Sequence, residues 1–313
     1  MKILFLDSDS LPRTISRPEW ASSWINRSST TPEELVSVAA QADALVTNKV
    51  KIGRAELEQL PNLRFICVAA TGYDCIDLAA CRDHGVVVSN APAYSAQSVA
   101  ESVIASVFAL RRQLIAYRDA ALHDWPASAH FCVHNAPIRD VRGSVLGIIG
   151  KGDIGSTTAR LAEAVGMQVL YAEHRGASST RSGYQSFDTV LAESDVISLH
   201  CPLTEQTRGL IGTAELARMK PGALLINTAR GPLLDEDAVL QALNNGHLGG
   251  AALDVLIKEP PARSHPLLNS EHPNLIITPH VGWASQSSLQ RLAKAIVGNL
   301  QAFNEGAPIN QVS

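Results

Sequence analysis

The chain has 313 residues, 46% of them hydrophobic, which is enough to bury a large core and long enough for two domains. A formal charge of −4 gives no general reason to bind nucleic acid or an anionic membrane surface, and the apolar run in MKILFLD is too short for a signal peptide or a membrane span. A small-molecule partner and a cytoplasmic location are therefore expected, and the five scattered cysteines (Cys67, Cys75, Cys81, Cys132 and Cys201) read as small buried hydrophobes, with no metal site and no disulfide framework.

In the first part of the chain short β-branched runs alternate with helical stretches. The strands are KILFLD at 2–7, ADALVT at 42–47 after the helix-like PEELVSVAAQ, RFICV at 64–68 and VVVS at 86–89, an α/β pattern. A long apolar helix from Gln97 to Leu114 follows, with Val99, Val103, Val107 and Leu110 on one face, in a position to bridge two domains. Residues 117–142 are richer in His, Pro and polar side chains and read as an irregular excursion with a function or a partner of its own.

A second series starts at VLGIIG, 145–150, and continues with QVLYA at 168–172, DVISL at 195–199, ALLINT at 223–228, GAALDV at 250–255 and NLIIT at 274–278. Asp235 is placed to cap a helix that Gly246 ends. Strands separated by helices pair in parallel through right-handed crossovers, so this half is expected to form a doubly wound sheet. A last helix, about Ala284 to Asn304, follows the completed sheet and is placed to return to the first domain. The expected division is 1–97 plus 285–313 against 98–284.

Gly150-Lys151-Gly152-Asp153-Ile154-Gly155 is a G-x-G-x-x-G between a strand and a helix, where a tight turn brings backbone N–H groups to a pyrophosphate; an ordinary glycine turn is the alternative. Glu173, at the end of the next strand, is an acidic side chain suited to a ribose diol. Arg230, Asp254 and His280 also follow strands of this series. Each alone has a plainer reading as a surface residue, a cap or a structural histidine, but in open parallel sheets the carboxyl ends of strands line one crevice.

With these residues the sequence resembles the D-isomer-specific 2-hydroxyacid dehydrogenase family. The resemblance runs through VLGIIGKGDIG, SDVISLHCPLTEQTRGLIG, MKPGALLINTARGPLLDEDAVLQAL, GAALDV with KEP, and TPHVGWAS, and covers nearly the whole chain. It implies two Rossmann-like domains with the active site in the cleft between them, NAD as cofactor and a homodimer. It implies further that Arg230 binds the substrate carboxylate and carbonyl, that His280 is the acid/base, and that Glu259 in KEP pairs with it. These residue types suit the chemistry: an imidazolium supplies the proton that 2-oxo acid reduction needs, a carboxylate favours its charged form, and Arg offers a fixed fork to a planar carboxylate. Asp254 matches the position that holds the nicotinamide carboxamide, and His200 and Pro202 match positions on the adenine side. Thr207, Thr228, Ala229 and Gly282 complete the implied cofactor contacts, while Thr71, Gly72 and Tyr73 in ATGYDCIDLAA, together with Trp283, are implied on the substrate.

Two features depart from the common family pattern. Asp153 puts a negative charge beside the expected pyrophosphate unless Lys151 offsets it, and the acidic residue is Glu173 instead of the commoner Asp, with Arg175 two residues on. NADH is expected to be preferred over NADPH, with Arg175 as the residue that would narrow the gap. Within the family, TNKV at 47–50, the ATGYDCIDLAA loop at 70–80, LYAEHRGA and Trp283 are most like bacterial glycerate dehydrogenases, also called hydroxypyruvate reductases. Phosphoglycerate or D-lactate dehydrogenases, and a non-catalytic NAD-sensing scaffold of the same fold, are the alternatives.

Overall fold

A computed structural model describes residues 1–312 and divides the chain into two compact units, one of residues Met1–Ser95 and those from Ala284 onward, the other of Ala96–Trp283. The first unit holds five parallel strands, β1 (Lys2–Phe5), β2 (Ser23–Asn26), β3 (Ala44–Thr47), β4 (Phe65–Val68) and β5 (Val87–Ser89), in the order β2-β1-β3-β4-β5. β3 and β4 are buried along their whole length, which is why they read as unbroken apolar runs. Helices α1 (Pro32–Ala39), α2 (Arg54–Leu57) and α3 (Leu78–Asp83) connect them. Thr31 starts α1 with a capping box: its hydroxyl accepts the Glu34 N–H, and the Glu34 carboxylate accepts the Thr31 N–H.

The second unit opens with α4 (Ala96–Arg111), whose Val99, Val103, Val107 and Leu110 are buried as their spacing requires. The excursion that follows is not wholly irregular. Gln113, at φ 56°, turns the chain into a further helix, α5 (Leu114–His123), before the loop to Val141. Strands β6 (Val145–Ile149), β7 (Gln168–Tyr171), β8 (Val196–Leu199), β9 (Ala223–Asn227), β10 (Leu248–Leu253) and β11 (Leu275–Ile277) form one parallel sheet in the order β11-β10-β9-β8-β6-β7. The chain runs outward from β6 in both directions, so a topological switch point, where open sheets take ligands, lies at the carboxyl end of β6.

Helices α6 (Asp153–Ala164), α7 (Phe187–Glu193), α8 (Thr213–Arg218) and α9 (Glu236–Asn244) complete the crossovers. Val103, Val107 and Leu110 of α4 pack with Leu146, Ile148 and Ala159 in one apolar cluster, and Leu191, Ile197, Leu225 and Val239 pack in another. Asp235 accepts the Ala238 N–H at 3.0 Å as the cap of α9, and Gly246, at φ 75°, ends it.

The final helix, α10 (Gln286–Asn304), belongs to the first unit. Ser285 caps it, and its Phe303 ring stacks on Phe65 of β4 with centroids 4.4 Å apart. Among the described residues no helix is long and apolar enough to cross a membrane.

Candidate active site

In the second unit the polar residues singled out from sequence follow successive strands of one sheet: Gly150 after β6, Glu173 after β7, His200 after β8, Thr228 to Arg230 after β9, Asp254 after β10 and His280 after β11. The glycine turn is tight enough to exclude side chains at two of its three glycines. A Cβ on Gly155 would lie 2.0 Å from the Gly150 carbonyl oxygen, and one on Gly150, whose φ is 108°, would lie 2.5 Å from the Cys201 nitrogen. Gly152 is different: a Cβ there would meet nothing within 4 Å. The helix it opens has no side-chain cap, so the first N–H groups of α6 have no capping side chain and sit at the positive end of a 12-residue helix.

This cradle fits a dinucleotide pyrophosphate. After β9 the Thr228 hydroxyl is buried without a hydrogen-bond partner, a polar group left for a bound cofactor to satisfy. Lys151 does not pair with Asp153; its ammonium lies 4.1 Å from the centre of the Tyr171 ring.

Glu173 stands where the sequence placed it, but it is buried and its two oxygens are already engaged. Arg181 donates from Nε to Oε2 and from Nη2 to Oε1, both at 2.7 Å, and the N–H groups of His174 and Arg181 add bonds of 2.9 and 3.2 Å. Chiefly through Arg181, the carboxyl is held down to about 2. Arg175, the expected counter-charge, points elsewhere: it lies 3.6 Å from Glu215 and donates to the Leu210 carbonyl.

His280, Glu259, Asp254 and Arg230 come together through the loops after β9, β10 and β11. His280 Nδ1 and Glu259 Oε2 are 2.7 Å apart, and the other carboxylate oxygen accepts the Leu256 N–H at 2.9 Å. Asp254 is the clamp of the His280 loop, accepting from the Thr278 hydroxyl at 2.5 Å and from the Val281 and Gly282 N–H groups at 2.9 Å each. Those bonds hold His280 at φ 55°, a left-handed conformation that is uncommon outside glycine. The Trp283 indole N–H closes the loop by donating to the His280 carbonyl at 2.8 Å.

Arg230 is fixed by its neighbours: the Asn227 amide donates to its carbonyl, and its own guanidinium donates to the Ala229 carbonyl, both at 2.8 Å. Gly231 then passes directly against the backbone of Leu256, so that the Arg230 loop rests on the segment that carries Glu259.

The remaining residues are more local. His200 Nε2 lies 2.9 Å from the Ser198 hydroxyl, and burial pushes the imidazole down to about 4, which keeps it neutral. Thr207 donates to the Pro202 carbonyl at 2.7 Å, organising the turn after His200.

In the first unit Thr71 donates to the Ala91 carbonyl at 3.0 Å, and Asn90 donates to the Thr71 carbonyl at 2.8 Å. Gly72 and the exposed Tyr73 follow at the tip of this loop after β4. Sequence reasoning missed Arg181, the closely packed Gly231, and Glu236, which accepts the Ile257 N–H at 2.7 Å and lies 3.2 Å from His265. An acidic residue at the first turn of a helix signals only a favourable helix dipole, so nothing in the pattern marked Glu236.

Two doubly wound parallel sheets, the second with an open glycine cradle at its switch point and a histidine–carboxylate pair beyond its last strand, define a dinucleotide-linked oxidoreductase. Residues 104–282 match the model of the D-isomer specific 2-hydroxyacid dehydrogenase NAD binding domain. The chain is 44% identical over 319 residues to a glycerate dehydrogenase of Methylorubrum extorquens, covering 99% of this chain and 98% of that one. Among solved structures it is similar to an acyclic imino acid reductase in complex with NADPH and D-Arg (27% identity, TM-score 0.86, 100% of both chains). It is also similar to a D-lactate dehydrogenase from Aquifex aeolicus complexed with NAD and lactic acid (28% identity, TM-score 0.81, 100% of both chains). The chain belongs to the D-isomer specific 2-hydroxyacid dehydrogenase family and is an NAD(H)-dependent oxidoreductase of the 2-hydroxy-acid/2-oxo-acid pair.

Proposed function

We propose that the chain interconverts hydroxypyruvate and D-glycerate, accepts glyoxylate, and prefers NADH to NADPH. The observation that carries the catalytic part is the 2.7 Å contact of His280 with Glu259; the likeness to a glycerate dehydrogenase over almost the whole chain supports the substrate. When bound at the glycine cradle, NADH supplies the hydride. His280 gives a proton to the carbonyl oxygen as the 2-oxo acid is reduced, and takes it back in oxidation. With Nδ1 held by Glu259, the proton is exchanged at Nε2, and the carboxylate stabilises the imidazolium. Arg230 binds the substrate carboxylate in a planar fork. Asp254 acts by holding the His280 loop, a positioning role that its three bonds to that loop support.

The test is the rate of NADH consumption with hydroxypyruvate, glyoxylate, pyruvate and phosphohydroxypyruvate. Hydroxypyruvate should give the highest kcat/KM. A higher value with pyruvate or phosphohydroxypyruvate would overturn the substrate, and no turnover with any of them would favour a non-catalytic scaffold. The working form is a homodimer in this reading, supported by exposed apolar side chains between α4 and residue 138, among them Leu114, Leu122, Trp125 and Phe131.

A further inference from the structure

The carboxylate after β7 is matched by one guanidinium, and that match bears on which cofactor the site admits. Glu173 is only 4% exposed, while the Arg181 side chain that grips it is 56% exposed and lies over the Tyr184 ring at 4.1 Å. Arg181 reaches Glu173 because the 174–184 loop returns beside β7: the Glu173 N–H donates to the Gln185 carbonyl, and the Gln185 N–H to the Tyr171 carbonyl, both at 2.8 Å. Tyr184 stands 6.1 Å from Tyr171, and the Lys151 ammonium lies over both rings, at 4.1 and 5.4 Å. Arg175 and Glu215 balance each other outside this cluster. The end of β7 therefore shows an acidic group whose charge is cancelled, an exposed guanidinium edge and a lysine, in place of a bare carboxylate.

We propose that Arg181 sets the cofactor specificity of this enzyme: by neutralising Glu173 and offering its exposed edge to a 2′-phosphate, it lets the site accept NADPH alongside NADH, with only a modest preference for NADH. This rests on the reading that the adenosine end of the cofactor lies at the end of β7. A bare carboxylate there would repel the phosphate. The bidentate pair removes the repulsion, and an arginine already stacked on an aromatic ring is pre-organised to meet phosphate oxygens.

The experiment measures binding and not turnover. Calorimetric titration with 5′-AMP and with 2′,5′-ADP, and fluorescence titration with NADH and NADPH, give Kd ratios for the wild type, Arg181→Ala, and Arg181→Ala combined with Glu173→Gln. The wild type should bind 2′,5′-ADP within roughly tenfold of AMP. In Arg181→Ala the Kd ratio of 2′,5′-ADP to AMP should rise by about ten- to a hundredfold, the scale of one charge-assisted contact, with the NADPH to NADH ratio moving alike. Removing the uncompensated carboxylate in the double variant should recover part of that change. Ratios that move less than about threefold in Arg181→Ala, while AMP and NADH still bind, overturn the role of Arg181 alone. If AMP and NADH fail to bind the wild type, the placement of the cofactor falls, and this proposal with it.

Discussion

His280 and Glu259 are joined by a 2.7 Å contact between Nδ1 and Oε2, and the second oxygen of Glu259 is taken by the Leu256 N–H, so the carboxylate is oriented before it orients the ring. General acid–base loss costs roughly 10²–10⁴-fold. His280→Ala should therefore lose about that much of kcat for 2-oxo acid reduction while still binding NADH, which fluorescence titration reads separately. Turnover within a few-fold of wild type would remove His280 as the proton donor. Because reduction takes up a proton, it should also be favoured at lower pH than the reverse oxidation in the same buffer series.

Gly231 is expected to be as sensitive as the residues that do chemistry. A Cβ there would stand 2.0 Å from the Leu256 carbonyl carbon and 2.1 Å from its oxygen, and backbone cannot rotate away as a side chain can. Gly231→Ala should displace the Arg230 loop or the Glu259 segment. A misplacement of about 1 Å is enough for roughly a hundredfold loss of kcat/KM. Overpacking should also cost about 1–3 kcal/mol of stability, read as a lower denaturation midpoint. Wild-type kinetics in this variant would show that the two loops are not mechanically joined.

Two groups make the fold weaker in acid, and the sign is the same for both. His200 has a folded value near 4 against an ordinary 6.5, so below pH 6.5 the unfolded chain takes up a proton that the native chain refuses. Glu173 is held near 2 against an ordinary 4.5; its contribution is complete above pH 4.5 and is lost as the pH falls towards 2. Stability should thus decline first between pH 6.5 and 4, by at most about 3 kcal/mol from His200. Thermal melts from pH 7.5 to 4 check this: His200→Gln should flatten that range, and an unchanged slope would assign the acid sensitivity to other groups.

Much of this arrangement was legible in the sequence because it is local. Buried parallel strands announce themselves as apolar runs, Asp235 and Gly246 mark the ends of α9, and Gly150 to Gly155 mark a turn that no side chain at Gly150 or Gly155 would fit. What escaped is non-local or weakly patterned. β2 is an edge strand of partly exposed residues, SWIN, with no alternation to reveal it. α5 buries only Ala120, so its apolar residues lack the one-sided spacing that identified α4. Arg181 sits in a polar stretch eight residues beyond Glu173, and only the bridge between Ala172 and Gln185 brings it back. Arg175, nearer in sequence, turns instead to Glu215 and the Leu210 carbonyl.

The same weakness of α5 leads to the last prediction. Its exposed Leu114 and Leu122, with Trp125 at 52% and Phe131 at 89% exposure just beyond, put large apolar side chains in water along one continuous stretch of chain. Such a concentration marks an interaction surface far better than apolar residues scattered singly. Beside it a cavity of about 570 Å³, lined by Gln113, Asn135, Arg139, Gly222 and Asn274, opens at the amino ends of β9 and β11; none of the residues assigned to catalysis or cofactor binding lines it. A two-fold pairing would bury the stretch from both copies at once. Light scattering should therefore give twice the 33.4 kDa chain mass. Phe131→Asp with Trp125→Ser should shift the mass towards one chain at micromolar concentration, because each copy would then bring a charge and lose two aromatic side chains in the contact. A wild-type mass of one chain across a wide concentration range would refute the dimer, and a double variant that stays dimeric would move the interface to another face.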